Sequence, residues 1–342
     1  MLPLVSVLLP VRDARATLPA CLRSLERQTL AAHEVVAVDD GSFDGSGEWL
    51  LGAAARDPRL RVLRTPPRGL VAALNTALDE ARAPLLARMD ADDLAHPRRL
   101  ELQAERLGAD RRVDVLGSRV RHWMGPDAAA DAGAGTAGMA AYVSWSNGLL
   151  DDEAIARDLL VESPLVHPSV MMRAELLRAL GGYRHFDGPE DYDLWLRARA
   201  TGARFGKVAR TLLRWRDRPA RLTRTDPRYA PARFLELKLD ALARSHLTPA
   251  RPLVVWGAGK VGKAWTRALL ARGHAVAALV EVDPRKIGQH IHGAPVVGCA
   301  AVDRLPPALH LAAVGQPGAR ARIRAEAARH GLREGAQLVA VA

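Results

Sequence analysis

Short apolar runs alternate with helix-like segments through the first ninety residues of this 342-residue chain. The helix-like segments are 17–28, a segment with Trp49, Leu50 and Ala53 on one face, and 69–81. The predicted strands that they separate lie at 4–9, 34–38, 60–63 and 85–89. Because strand–helix–strand units bring their strands together in parallel, the alternation predicts an α/β fold with a mostly parallel sheet flanked by helices.

Carboxylates follow two of the predicted strands. The pair Asp39-Asp40 ends the second strand, and Asp90-Ala91-Asp92-Asp93 follows the fourth. Both groups are expected at one ligand-binding edge, because ligands of parallel sheets bind outside the carboxyl ends of the strands. Crowded carboxylates repel one another unless a cation lies between them, and their oxygens suit Mg²⁺ or Mn²⁺. The alternative is a polar loop in which Asp93 caps a helix beginning near Pro97.

Charge and composition limit the partners of the chain. A formal charge of +11 suits nucleic acid, a phosphate-bearing substrate or an anionic membrane surface. Scattered arginines and an aromatic content of 4% argue against nucleic acid. Cys21 and Cys299 are far apart, as expected of thiols in a reducing compartment. Since no apolar run reaches about 18 residues, we expect a cytoplasmic protein, and peripheral attachment to the inner face of the membrane stays open.

A second acidic segment surrounds residue 190. Glu190, Asp191 and Asp193 occupy the first turn of a predicted helix, where the helix dipole favours acidic side chains even without a catalytic role. His167 precedes a proline and is interpreted as a hydrogen-bonded structural residue rather than a ligand. Trp195 is interpreted as a core residue rather than a surface on which a ligand stacks.

The C-terminal part carries a glycine motif. A predicted strand leads into Gly257, Gly259 and Gly262 at the start of a helix, and Asp283 follows about twenty residues later. This spacing is typical of a dinucleotide-binding loop, whose glycines let a phosphate approach the helix N-terminus. A degenerate, ligand-free Rossmann-like domain is the alternative.

These patterns divide the chain into three parts. We expect one domain over residues 1–220, a helical extension and linker over 221–250, and a small Rossmann-like α/β domain over 251–342. Within the first part, the Gly- and Ala-rich residues 126–141 are predicted to form a flexible surface loop.

With these residues in view, the first 220 positions or so resemble family 2 glycosyltransferases, which are inverting enzymes of the GT-A fold. The chain departs from the family's pattern at Val11-Arg12-Asp13 and at Phe43, neither of which carries the chemistry. The resemblance rests on motifs that occur in the family's order: the strand at 5–10, Val38-Asp39-Asp40-Gly41-Ser42, Asn75, Asp90-Ala91-Asp92-Asp93 and Glu190-Asp191.

The resemblance implies transfer of a sugar from a nucleotide-diphosphate donor, with a UDP-sugar favoured, to a glycan or lipid-linked acceptor in surface polysaccharide or glycoconjugate synthesis. Asp92 would bind Mn²⁺ or Mg²⁺ beside the diphosphate, with Asp90 orienting the ion. Asp191 would be the general base for the acceptor hydroxyl. Asp40 is the better candidate for a uracil contact. The further substrate contacts that the resemblance implies are Pro10, Asp39, Arg68, Asp90 and Glu190.

The C-terminal domain resembles the nucleotide-sugar-binding domain of bacterial sugar acyltransferases. The shared segments are Asp283-Pro284, Lys286-Ile287-Gly288 and residues 293–298. This resemblance implies a nucleotide or nucleotide sugar at Gly257, Gly259, Gly262 and Asp283. The rival functions are an NAD(P)-dependent oxidoreductase, which lacks a recognisable hydride-transfer partner beside the glycines, and a nucleotide-sugar sensor without turnover.

Overall fold

The computed structural model describes residues 2–124, 133–218, 221–248 and 250–342. The chain divides into two compact units. The first comprises Met1–Ile155 and Pro164–Tyr229, and the second comprises Ala156–Ser163 and Ala230–Ala342. A short internal segment therefore belongs to the same unit as the C-terminal part of the chain.

The first unit contains the elements that precede residue 230. Its strands are β1 (Val5–Val11), β2 (His33–Asp40), β3 (Leu60–Thr65), β4 (Leu85–Arg88), β5 (Leu94–Ala95), β6 (Val115–Trp123), β7 (Met171–Arg173) and β8 (Phe205–Arg216). Its helices are α1 (Leu18–Glu26), α2 (Ser46–Ala54), α3 (Leu70–Glu80), α4 (Arg99–Ala109), α5 (Gly133–Gly148), α6 (Asp152–Asp158), α7 (Ala174–Ala179), α8 (Glu190–Ala200) and α9 (Leu222–Thr225). The last residues of α6 belong to the second unit.

The strands of the first unit form a sheet that has eight strands within the described residues, in the order β3-β2-β1-β4-β7-β6-β8-β5. The pairs β1·β2, β2·β3, β1·β4 and β6·β8 are parallel, whereas β7 is antiparallel to both its neighbours and β5 is antiparallel to β8. Every residue of β1 and β2 is buried, as expected of parallel strands covered on both faces. The predicted α/β fold with a mostly parallel sheet is confirmed.

Apolar helix faces cover this sheet. In α1, Leu18, Leu22 and Leu25 are buried, and in α3 the buried residues include Leu74 and Leu78. Residues three and four positions apart share one side of a helix, so each helix presents a continuous apolar stripe to the strands. This packing fixes α3 beside β1 and β2, which matters for the site described below.

The loop predicted over 126–141 is partly wrong. Residues 133–141 begin α5, whereas residues 126–132 lie outside the described part of the chain. Met139, Tyr142 and Val143 pack against the core of the first unit. Their spacing of three and four residues makes an apolar helix face, and the intervening alanines favour a helix.

The second unit contains the remaining elements. They are α10 (Pro231–Ser245), β9 (Leu253–Trp256), α11 (Lys260–Ala271), β10 (Val276–Val280), β11 (His290–Ile291), β12 (Ala294–Val297), β13 (Leu309–Ala312), α12 (Ala319–Arg329) and β14 (Leu338–Ala340). Within the described residues its sheet has six strands in the order β11-β12-β10-β9-β13-β14, parallel except for the β11·β12 pair. A central first strand with its successors on either side is the arrangement of a Rossmann-like fold.

Among the described residues, no helix combines the length and apolar character that crossing a bilayer requires.

A buried carboxylate anchors the internal segment of the second unit. Asp158 is 2% exposed and accepts hydrogen bonds from Arg324 Nη2 at 2.5 Å and Arg320 Nη1 at 3.4 Å, both on α12. Lys238, on α10, donates through Nζ to the carbonyl oxygen of Val161 at 2.6 Å. The C-terminal part of the chain therefore depends on contacts that residues 156–163 supply.

We expect Asp158→Ala to lower the free energy of unfolding by about 3 kcal/mol, because it leaves two partly buried arginine charges without their shared partner. Urea denaturation measures the change. Asp240→Ala, which removes the half-exposed ion pair with Arg272 in the same unit, should cost less than about 1 kcal/mol. Equal, small losses in the two variants would contradict the anchoring role of Asp158.

Candidate active site

Three carboxylates converge where β4 ends. Asp90, Asp92 and Asp93 each offer one oxygen, and these oxygens all lie within 4.8 Å of one another. Side-chain exposure falls from 30% at Asp90 to 13% at Asp92, and Asp93 is fully buried. The chain turns here because β4 stops at Arg88 and β5 begins at Leu94, so the acidic residues form the intervening loop.

Arginines and one backbone amide neutralise part of this charge. Arg88 Nη1 forms an ion pair with Asp90, and Arg218 Nε lies 3.1 Å from Asp92 Oδ2. Asp93 Oδ1 accepts a hydrogen bond from the Arg216 amide at 2.7 Å. Within the described chain, Asp93 Oδ2 is buried without a hydrogen-bond partner. An unsatisfied buried carboxylate oxygen is costly, so the cluster has unused capacity for a cation.

Burial and mutual repulsion shape the protonation of the cluster. Burial first, and the neighbouring Asp90 charge second, raise the pKa of Asp92 and raise that of Asp93 well above its ordinary value. Burial also acts to raise the pKa of Asp90, but the Arg88 guanidinium outweighs it and holds that pKa below its ordinary value. Ionising all three carboxylates together therefore requires additional positive charge.

Asp93 does not cap a helix, so this part of the alternative is wrong. The following helix, α4, begins at Arg99, and the Asp93 carboxylate instead binds the end of β8 through the Arg216 amide. Asp93 was not assigned to the metal site from the sequence. The sequence signal for including Asp93 was the density of three carboxylates in four residues. Nothing in the sequence indicated its hydrogen bond with the Arg216 amide, 123 positions away.

Asp39 and Asp40, at the end of β2, bind the chain itself. Asp39 Oδ1 accepts from the Ser42 amide at 3.1 Å, and its Oδ2 accepts from Arg64 Nε at 3.3 Å. Asp40 uses one oxygen for the Arg68 amide at 2.7 Å and the other for the Gly69 amide at 2.8 Å. Asp40 therefore fixes the loop that starts α3.

The other predicted donor-side residues differ in exposure. Pro10 is buried in β1 opposite Val38, and the Arg68 side chain is exposed beside the loop that Asp40 holds. Arg12, which the sequence marked only as a departure from the family's pattern, donates through Nη1 to the Asp40 carbonyl oxygen at 3.1 Å. Parallel pairing of β1 with β2 and β4 brings Pro10, Asp40 and the β4 carboxylates to one edge of the sheet.

The second acidic group begins α8. Glu190 is buried, and its Oε2 accepts a hydrogen bond from the Tyr229 hydroxyl at 2.6 Å while its Oε1 lies 3.7 Å from His167 Nδ1. Asp191 is half-buried, and its Oδ1 accepts from the Tyr192 amide at 2.7 Å. The two side chains therefore differ: Glu190 is enclosed by buried partners, whereas Asp191 stays partly accessible.

Electrostatics connects the two acidic groups. Burial acts to raise the pKa of Glu190, but the adjacent His167 and the hydrogen bond from Tyr229 hold it below its ordinary value. Burial, together with Arg88, lowers the pKa of His167. Burial acts to lower the pKa of Arg88, but the carboxylates of Asp90 and, more weakly, Glu190 raise it. Because one buried guanidinium interacts with both carboxylates, the β4 cluster and the start of α8 belong to one polar site.

Two further residues of α8 have structural roles. Asp193 is buried between Arg184 Nη1 at 3.1 Å and Arg197 Nε at 2.7 Å. Trp195 is fully buried, and its ring lies edge-on to His167 at 5.9 Å. Trp195 is thus a core residue, as predicted, and the interpretation of His167 as hydrogen-bonded agrees with its 3.0 Å contact to the Tyr183 hydroxyl.

The glycine loop of the second unit lies between β9 and α11. Gly257 has a φ of +108°, and a Cβ on Gly262 would lie 1.8 Å from the Gly257 oxygen, so both glycines are required by the backbone. A Cβ on Gly259, which precedes α11, would meet nothing within 4 Å. Gly259 thus borders open space at a helix N-terminus.

The acidic residue nearest this loop is Glu281. Its Oε2 accepts a hydrogen bond from the Ala258 amide at 3.0 Å and lies 3.1 Å from Lys286 Nζ. Asp283, the residue chosen from the sequence, instead pairs with Arg285 at 2.9 Å. The two acidic residues are too close in sequence for spacing alone to distinguish them.

Comparison with known proteins identifies the first unit. The sequence pattern described as Glycosyl transferase family 2 matches residues 6–181. The amylovoran biosynthesis glycosyltransferase AmsE of Erwinia amylovora is 31% identical over 197 residues, which cover 56% of this chain and 67% of AmsE. Among the curated relatives that match, the chain spans from 19% to 73% of the relative's length.

Solved structures share the fold. Staphylococcus aureus TarS in complex with UDP-GlcNAc superposes with a TM-score of 0.56 at 18% identity, over 71% of this chain and 68% of that one. The mannosyltransferase PcManGT of Pyrobaculum calidifontis, in complex with GDP-Man and Mn²⁺, has a TM-score of 0.50 at 20% identity over 80% of each chain. The match to the family pattern covers half of the sequence, and this chain belongs to glycosyltransferase family 2.

Proposed function

We propose that this chain is a metal-dependent inverting glycosyltransferase that moves a hexosyl group from a nucleotide-diphosphate sugar to an acceptor hydroxyl. The observation that carries the proposal is the convergence of Asp90, Asp92 and Asp93, with an unsatisfied buried oxygen on Asp93, beside the acidic start of α8. Such a site combines cation-binding capacity with a partly accessible carboxylate, Asp191, that can accept a proton.

The three β4 carboxylates suit a divalent cation. Asp92 and Asp90 would hold Mn²⁺ or Mg²⁺ as predicted, and Asp93 adds an oxygen that nothing else among the described residues occupies. When bound, the ion would supply charge stabilisation for the diphosphate leaving group. Arg218, now paired with Asp92 at 3.1 Å, would then be released to interact with a phosphate oxygen.

Asp191 and Glu190 have different roles in the proposed transfer reaction. Asp191 takes the proton of the acceptor hydroxyl while that oxygen bonds to the anomeric carbon. On the opposite side, the bond from that carbon to the diphosphate oxygen breaks, and its electron pair stays on the diphosphate. A single displacement of this kind inverts the anomeric centre. Glu190, enclosed by His167 and Tyr229, holds the start of α8 in place.

The donor and acceptor classes are inferred from the relatives. TarS binds UDP-GlcNAc, PcManGT binds GDP-Man with Mn²⁺, and AmsE acts in amylovoran biosynthesis. We propose a nucleotide-sugar donor, with a UDP-sugar favoured, and a glycan or lipid-linked acceptor in surface polysaccharide synthesis. The cytoplasmic location and the attachment to the inner membrane face stay predictions from the sequence.

The proposed function is tested by incubating the purified chain with a panel of UDP-, GDP- and dTDP-sugars, Mn²⁺ and short glycan acceptors. We expect release of nucleoside diphosphate from one donor and loss of that release in EDTA. NADH absorbance, followed in parallel with carbonyl substrates, tests the oxidoreductase alternative. Oxidation of NADH without release of diphosphate from any donor would overturn the proposal.

For the second unit, we propose a nucleotide or nucleotide-sugar site at the glycine loop. The open space beside Gly259 and the Rossmann-like strand order support it. Gly257, Gly259 and Gly262 would let a phosphate approach the start of α11. Of the two acidic residues, Glu281 rather than Asp283 is oriented toward the loop. A resemblance to sugar acyltransferases stays a prediction.

Asp92→Asn should reduce turnover by at least about 10²-fold, because a weakened metal site forfeits several kcal/mol of charge stabilisation. Nucleoside-diphosphate release measures turnover, and titration with Mn²⁺ should show weaker binding. Asp79→Asn removes the same charge from an exposed position on α3 and should leave both measurements unchanged. Wild-type turnover in Asp92→Asn would contradict the metal assignment.

Asp191→Asn keeps the shape of the side chain but cannot accept a proton at neutral pH. Turnover should fall about 10²-fold or more, the usual contribution of a positioned base, while the affinity for donor with Mn²⁺ stays near that of the wild type. Single-turnover kinetics separates the two quantities. A variant that loses donor affinity but turns over bound donor normally would place Asp191 in the donor site instead.

Gly259→Val should abolish binding at the second unit without unfolding it, since its Cβ meets only open space. Calorimetry on the full chain in EDTA, with NAD⁺, UDP and UDP-sugars as probes, measures the binding. Gly108→Val, at another open glycine, on α4, is the control. The full chain is used because residues 156–163 belong to the second unit. Equal binding by wild type and Gly259→Val would refute the site.

A further inference from the structure

Asn75, on α3, clamps the backbone of Tyr183. Its Nδ2–H donates to the Tyr183 carbonyl oxygen at 2.8 Å, and its Oδ1 accepts from the Tyr183 amide at 2.9 Å. A side-chain amide that pairs with both backbone groups of one residue replaces the partner that a neighbouring strand would supply. The position of Tyr183 is therefore set by α3 across 108 residues of sequence.

Two glycines in the loop before Tyr183 allow Asn75 to approach the backbone closely. Gly181 and Gly182 have φ angles of +73° and +72°, and a Cβ on Gly182 would lie 2.6 Å from Asn75 Oδ1. Arg197, on α8, donates to the carbonyl oxygens of Leu180 at 2.9 Å and Gly182 at 3.0 Å. The loop is thus held by α3 on one side and by α8 on the other.

A chain of buried polar contacts leads from Tyr183 to the start of α8. The Tyr183 hydroxyl lies 3.0 Å from His167 Nε2, and His167 Nδ1 lies 3.7 Å from Glu190 Oε1. Tyr183, His167 and Glu190 are each less than 9% exposed. Buried polar groups in contact restrict one another's geometry, so these contacts connect Tyr183 to Glu190, the neighbour of Asp191.

We propose that Asn75 is a positioning residue for Asp191, acting through Tyr183, His167 and Glu190. This inference rests on the proposed role of Asp191 as the base. The same helix, α3, starts at the loop that Asp40 holds through the Arg68 and Gly69 amides. One helix therefore connects the predicted donor side of the site to the predicted acceptor side.

The chain offers a matched control for Asn75→Ala. Asn147, on α5, donates to the Val120 carbonyl oxygen at 2.9 Å and accepts from the Val120 amide at 2.9 Å. Asn147→Ala therefore removes the same pair of hydrogen bonds from β6, and its cost in stability should be similar. It leaves the contacts of Tyr183 and Glu190 intact.

Two measurements test the proposal. In Asn75→Ala, hydrogen–deuterium exchange should become faster at the amides of residues 190–193, and kcat should fall by about tenfold to 10²-fold with the donor KM within about twofold. Asn147→Ala should change neither quantity. Unchanged exchange and kcat in Asn75→Ala, or the same changes in Asn147→Ala, would overturn the positioning role.

Tyr183→Phe provides a second test that keeps the clamp and removes only the hydroxyl that contacts His167. It should lower kcat in the same way, and the double variant with Asn75→Ala should lose little more than the worse single variant, because both act through one path. Additive losses would overturn the proposal. Because exchange needs no turnover, an inactive wild type would count against the proposed function without deciding the role of Asn75.

Discussion

Mutual repulsion among the three carboxylates at the end of β4 is the constraint on which the site depends. Asp90, Asp92 and Asp93 offer oxygens within 4.8 Å of one another, and Asp93 is fully buried. Arg88 and Arg218 offset part of the charge. Burial and the remaining repulsion still raise the pKa values of Asp92 and Asp93. A divalent cation among these oxygens, as proposed above, would offset this repulsion further.

The packing of the sheet holds these carboxylates together despite their repulsion. Parallel pairing of β1 with β2 and β4 brings the strand ends together, and the apolar residues of β1 and β2 are buried on both faces. Cross-chain contacts then fix the loops at this edge: Asp40 holds the start of α3, and Asp93 holds the end of β8. The polar site is placed by hydrophobic packing that lies beneath it.

Contacts local in sequence were predictable, and contacts distant in sequence were not. The strand–helix alternation predicted the parallel sheet, and the ends of β2 and β4 predicted where Asp39-Asp40 and the β4 acids would lie. The Asn75–Tyr183 clamp and the Asp158 anchor connect residues more than 100 positions apart. Such pairs carry no periodic signal, because each depends on two elements being packed first. The apolar helix face within residues 139–143 was missed because the glycines of this segment indicated a loop.

In the proposed function, the β4 carboxylates hold a divalent cation when a nucleotide is bound. Anomalous X-ray scattering at the manganese edge, from crystals grown with Mn²⁺ and UDP, measures this most directly. We expect one peak about 2.1 Å from carboxylate oxygens of Asp92 and its neighbours, with Arg218 moved away from Asp92. A structure with UDP bound, Arg218 still paired with Asp92 and no anomalous peak at the cluster would contradict the account.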